Sequence, residues 1–191
     1  MLFRSTALAG AILDQGNTGS CVAHAIAQAI RIRIALLEGN PRLCTVPFLS
    51  RRWIYRLARE THGAGDRDDG TYISAAIGAC QRLGWPSEER VLWSERNVCR
   101  GVSVADRRHA FDQVMSIREY AIISEGGAKI AQTKDAICGG YPIVFGADVD
   151  RRFVDCDDYT PQRIADAPVG GHAMVMIGQL EIGRASCRER V

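Results

Sequence analysis

From position 21 the apolar residues recur with helical spacing. Val22, Ala25, Ile26, Ala29, Ile30, Leu36 and Leu37 share one broad face, while His24, Gln28 and Arg31 form a thinner polar stripe at i, i+4 and i+7. Gly39 and Pro41 break the pattern, so the spacing predicts a helix over Cys21–Leu37. Ser50 is placed to cap a second helix, Arg51–Glu60, whose Trp53, Ile54 and Leu57 belong to the core. The polar stretch HGAGDRDDG leads to a third helix over 72–83, ended by LGWP. SERNVCRGVSVADRRHAFDQ shows no clear period and reads as mostly irregular. After Met115 the period changes. SIREYAIIS and YPIVFGADVD read as strands, AKIAQTKDAICGG as a short helix ended by glycines, and GGHAMVMIG as a third strand. That last strand puts His172, Met174 and Met176 on one face and Ala173, Val175 and Ile177 on the other. Helices followed by strands indicate an α+β architecture, with a helical lobe over 1–114 and a strand-rich lobe over 115–181.

Composition narrows the classes. The 191 residues are 47% hydrophobic, enough to bury a core as one domain or as two lobes. A formal net charge of +2 gives no sign of a nucleic-acid partner. No run of eighteen or more apolar residues points to a membrane span, and the start, MLFRSTALAGAIL, lacks the cleavage region of a signal peptide. Seven cysteines lie at 21, 44, 80, 99, 138, 156 and 187, with no C-x-x-C pair. That spacing argues against zinc and against a disulfide framework, and it fits a reducing, cytoplasmic compartment. Cys44, Cys80, Cys99, Cys138 and Cys156 are read as structural, although a single pairing stays open. The acidic run 66–69 does not make a calcium loop: Gly70 comes one position early and no Glu stands at the twelfth place.

One stretch carries chemistry. LDQGNTGSCVAHAIAQAI sets a glycine-punctuated polar loop directly before Cys21, the first residue of the long helix. Unpaired N–H groups and the helix dipole at such a start favour a thiolate, so the cysteine is either a nucleophile or a small core thiol. A nucleophilic thiol needs a base. Of the four histidines, His62 and His109 lie in polar surroundings. His24 is near Cys21 on the helix but on a face turned into the protein. His172 begins an apolar strand after Gly170 and Gly171, 151 positions beyond Cys21. It is a base or, alternatively, a hydrogen-bonded structural histidine.

DQGNTGSC before an Ala-rich helix, with GGHAMVMIG about 150 residues on, resembles the papain family of cysteine peptidases, whose Cys-to-His spacing the two motifs reproduce. DDGTYISAAIGACQRLGWPSE resembles the segment where a glycine turn lines that family's substrate cleft, and GGYPIVFGADVD the strand before its histidine loop. The likeness runs from about Leu13 to Gly178. It implies a two-lobe papain-like fold and hydrolysis of peptide bonds through an acyl-thioenzyme, without metal or cofactor. By resemblance Cys21 is the nucleophile and His172 the base. Gln15 supplies a side-chain donor to the oxyanion beside the backbone N–H of Cys21. Gly19 and Ser20 shape the turn, and Asp69, Gly70 and Gly171 lie near the peptide substrate.

The chain also departs from the pattern. Thr18 stands where secreted relatives carry a disulfide cysteine and Val22 where they carry a tryptophan, which resembles a bacterial or viral branch. Only twenty residues precede Cys21, so no inhibitory pro-segment is expected within them. No Asn-Ser-Trp-like motif follows His172. The last ten residues, IGRASCRERV, resemble one translated frame of a sequencing adapter, the alternative being a basic tail. On that reading the strand-rich lobe is cut short and activity impaired, and a non-catalytic peptide-binding module or decayed enzyme on the same fold is the rival function.

Overall fold

The structure, a computed structural model, describes residues 13–39, 46–111, 120–123, 125–155 and 167–177. Its elements run α1 (Cys21–Leu37), α2 (Arg51–Glu60), α3 (Ile73–Leu83), a 3-10 turn (Glu95–Asn97), α4 (Val104–Phe111), α5 (Lys129–Cys138), β1 (Ile143–Val149), α6 (Arg151–Val154) and β2 (Gly170–Met176). The chain is α+β.

The start of α2 follows from its cap. The Ser50 hydroxyl accepts from the Trp53 N–H at 3.1 Å and donates to the Val91 carbonyl at 2.5 Å, which ties the helix start to a distant loop. Gly84, at φ +62°, stops α3 in a conformation few other residues adopt, and its carbonyl accepts from the Trp53 indole N–H at 2.9 Å. β1 and β2 pair antiparallel, with Val144 opposite Val175 and Ala147 opposite His172. α1 packs against α2, α3 and β2. Their shared core joins Val22, Ala23 and Ile26 of α1 to Trp53, Ile54 and Leu57 of α2, Ala76 and Cys80 of α3, and Ala173 and Val175 of β2.

Encirclement changes the meaning of the polar stripe on α1. His24, Gln28 and Arg31 are all buried. Arg31 donates Nε to the Val46 carbonyl at 2.8 Å and stacks its guanidinium 3.6 Å from the Phe48 ring centre. The segment read as irregular holds the 3-10 turn and α4. α4 begins with a reciprocal cap, in which the Asp106 N–H bonds the Ser103 hydroxyl at 3.1 Å and the Ser103 N–H bonds the Asp106 carboxylate at 3.3 Å. The strand expected in SIREYAIIS is not formed over 120–123, and the rest of that stretch, like the 182–191 tail, lies outside the described residues. Cys21, Cys80, Cys99 and Cys138 are free thiols; Cys44, Cys156 and Cys187 lie outside the described residues. Among the described residues no helix is long and apolar enough to cross a membrane.

Candidate active site

Cys21 is the first residue of α1 and is half-buried at the edge of the core. The loop before it is wound tightly by its own side chains. Asp14 accepts from the Gly16 N–H at 2.8 Å, and Gly16 takes φ +54°. Thr18 donates its hydroxyl to the Gln15 carbonyl at 2.9 Å, and the Gln15 side-chain amide donates back to the Thr18 carbonyl at 2.7 Å. An amide nitrogen carries two hydrogens, so that bond fixes Gln15 while leaving one N–H for a ligand. Ser20 does not cap α1 with its side chain. The hydroxyl turns instead to Thr18 Oγ1 at 2.7 Å and His24 Nδ1 at 3.2 Å. The first N–H groups of α1 therefore have neither an intrahelical acceptor nor a side-chain cap from Ser20.

His24 is not a base for this thiol. Arg51 can only donate, so its contact with His24 Nε2 at 3.2 Å puts the ring proton on Nδ1, which faces the Ser20 carbonyl at 3.0 Å. The ring lies edge-on to Trp93 with centroids 5.0 Å apart. Desolvation, with the Arg51 charge assisting, lowers its pKa to about 4 against the pull of the Ser20 carbonyl. His24 is a neutral fixture that holds the N-terminus of α1. His62 and His109 are exposed, as expected.

The glycine turn at Gly70, φ +75°, comes directly against the loop before Cys21. A Cβ on Gly19 would stand 2.9 Å from the Gly70 nitrogen and 3.0 Å from the Tyr55 hydroxyl, so only glycine fits there. Sequence reasoning chose Asp69 for this neighbourhood. In the structure Asp69 turns outward to an exposed ion pair with Arg67 at 2.7 Å, and Asp68 is the residue that reaches the loop. Gly171 is exposed, and a Cβ there would meet no atom within 4 Å.

His172 stands at the start of β2, the strand that packs on α1. It is buried, with the Phe153 ring 6.3 Å away, centroid to centroid. Burial pushes its pKa down, which favours a neutral imidazole over the standing imidazolium expected for a thiolate ion pair. Its Nε2 is buried without a hydrogen-bond partner among the described residues. Around the loop before Cys21, the side chains that take part without a signal in the sequence are Asp68, Tyr55, Arg51 and, through its 3.0 Å ion pair with Arg51, Glu88. Among the described residues no cluster of His, Cys, Asp or Glu suited to a metal ion is present.

No protein-family model matches the chain. It is 31% identical, over 186 residues covering 87% of its length, to an uncharacterized peptidase C1-like protein of Acanthamoeba polyphaga mimivirus. The chain spans 55% of that relative's length. Its fold is similar to that of xylellain, a cysteine protease from Xylella fastidiosa, with a TM-score of 0.74 at 23% identity over 93% of this chain and 73% of the other. The chain thus shares the fold of that cysteine protease, and its sequence is similar to that of a peptidase C1-like protein.

Proposed function

We propose that Cys21, His172 and Gln15 form the reaction centre of a cysteine peptidase. The observation that carries this reading is the start of α1. There a half-buried free thiol meets N–H groups left uncapped by Ser20, beside a glutamine amide locked in place with one N–H unspent. The thiol proton passes to neutral His172 as sulfur attacks the peptide carbonyl carbon. The carbonyl electrons move to oxygen, where the Cys21 N–H and the second Gln15 N–H receive them. Collapse expels the amine, protonated by His172, and leaves a thioester. Water, deprotonated by His172, then releases the acid and restores the thiol. The free thiols suit a reducing compartment such as the cytoplasm.

A non-catalytic peptide-binding module is the second reading. The unpartnered Nε2 of His172 favours it, since among the described residues no hydrogen bond holds that nitrogen of the imidazole. Alkylation by iodoacetamide, followed by peptide mapping, separates the two. A reaction centre requires Cys21 to react well ahead of Cys80, Cys99 and Cys138, and His172→Ala to remove that lead together with hydrolysis of a casein-derived peptide library. Burial raises the Cys80 thiol to about 12, which makes it the internal unreactive standard. Equal labelling of Cys21 and Cys99 with no hydrolysis refutes the peptidase reading.

A further inference from the structure

We propose that Asp68 and Tyr55 are positioning residues that clamp the nucleophile loop to the Gly70 turn through a ring of hydrogen bonds. The proposal rests on Cys21 being the nucleophile. One carboxylate oxygen of Asp68 accepts the Gly19 N–H at 3.0 Å and the Tyr55 hydroxyl at 2.5 Å. The same hydroxyl accepts the Gly70 N–H at 3.0 Å. Two backbone donors, one two residues before Cys21 and one on the opposing turn, are thus gathered onto a single O–H···O pair. Tyr55 supplies rigidity. It is fully buried on α2, and the Arg59 guanidinium sits 3.8 Å from its ring centre. Desolvation and the bond to Asp68 push the phenol pKa far up, so the hydroxyl keeps its proton and its direction of donation at every working pH.

Both residues bond to backbone groups of Gly19 and Gly70 rather than to the Cys21 thiol, so their effect is on separation. A peptide lying along the Gly70 turn presents its carbonyl to Cys21 only if turn and loop keep a fixed spacing, and small misplacements of reacting groups are expensive in rate. A reagent that needs only the thiol is indifferent to that spacing. The clamp therefore affects the two classes of reagent differently.

The test compares Cys21 alkylation by iodoacetamide with alkylation by a peptidyl chloromethyl ketone, in wild type, Tyr55→Phe, Asp68→Ala and Asp68→Asn. Tyr55→Phe keeps the buried ring and removes only the hydroxyl; circular-dichroism melting checks that each variant is folded. The expected result is a fall of about tenfold or more in the peptidyl rate for Tyr55→Phe and Asp68→Ala, with the iodoacetamide rate within about twofold of wild type. Asp68→Asn retains an acceptor oxygen and rescues most of the peptidyl rate. Amide hydrogen exchange at Gly19 and Gly70 should rise in the same two damaged variants. A peptidyl rate equal to wild type in folded Tyr55→Phe, or parallel losses with both reagents, overturns the clamp while leaving the peptidase reading intact. Wild-type Cys21 that reacts no faster than Cys99 with either reagent overturns both, and the two failures are told apart by the wild-type control.

Discussion

The deepest acid sensitivity of the described structure should come from His24. In the unfolded chain its imidazole takes up a proton near pH 6.5, whereas in the folded protein it resists until about pH 4. Between those values the unfolded state binds more protons than the folded one, so stability falls as pH falls. The contribution is fully present above about pH 6.5, is lost progressively below it, and is exhausted below about pH 4. A separation of about 2.5 units at ~1.36 kcal/mol per unit corresponds to about 3 kcal/mol. The structural reason is specific. Protonation puts a second N–H on Nε2, which then faces Arg51 at 3.2 Å with a like charge and no acceptor. The assay is urea unfolding of wild type and His24→Gln from about pH 7.5 to about pH 4. His172, whose pKa is also lowered by burial, titrates in the same sense in both proteins and cancels in the difference. The wild-type advantage over the variant should shrink by about 3 kcal/mol across that range. A difference constant to within about 1 kcal/mol at both ends refutes the burial argument.

Three further stability predictions separate deep interactions from a shallow one. Ser50→Ala removes the α2 cap and strands the Val91 carbonyl, so a loss of about 2–3 kcal/mol is expected in urea unfolding at neutral pH. Glu88 accepts from the Arg51 N–H, the Arg51 guanidinium and the Trp93 N–H, at 3.0, 3.0 and 2.8 Å. Glu88→Ala leaves the Arg51 charge facing His24 and should reduce stability by about 3–5 kcal/mol, whereas Lys129→Ala, which breaks the exposed pair with Glu125, should change it by under about 0.5 kcal/mol by the same measurement.

Much of the fold is legible because its boundaries are punctuated by residues with one physical use. Ser50 caps, Gly84 takes positive φ, and the strand patterns YPIVFGADVD and GGHAMVMIG hold β1 and β2. Short elements were harder to read. α4 has no apolar stripe, and its signal is the Ser103–Asp106 capping pair, a four-residue pattern that only the structure distinguishes from chance. Burial of His24, Gln28 and Arg31 was also hidden. A polar stripe on a helix ordinarily means solvent, and nothing in α1 itself announces that Val46, Phe48 and Arg51 will close over it.

The site divides along the same line. Gln15 and Cys21 are close in sequence, so their relation survives in one dimension, and His172 is marked by its glycines and its strand. Two of the side chains that brace the loop before Cys21 come from α2, a helix that reads only as core through Trp53, Ile54 and Leu57. Arg51 and Tyr55 lie one turn apart, at i and i+4 on one side of that helix, and each is linked by hydrogen bonds to the loop before Cys21. Arg51 works through His24 on the backbone carbonyl of Ser20. Tyr55 works through Asp68 on the N–H of Gly19. Gly19 and Asp68 are 49 positions apart, and the choice between Asp68 and Asp69 depends on which way two successive side chains turn, which spacing alone does not decide. Cys21 is therefore framed by two hydrogen-bond systems rooted in one helix face. A displacement of α2 by a fraction of a hydrogen-bond length acts on the backbone of Gly19 and of Ser20 at once, the two residues that lead into Cys21.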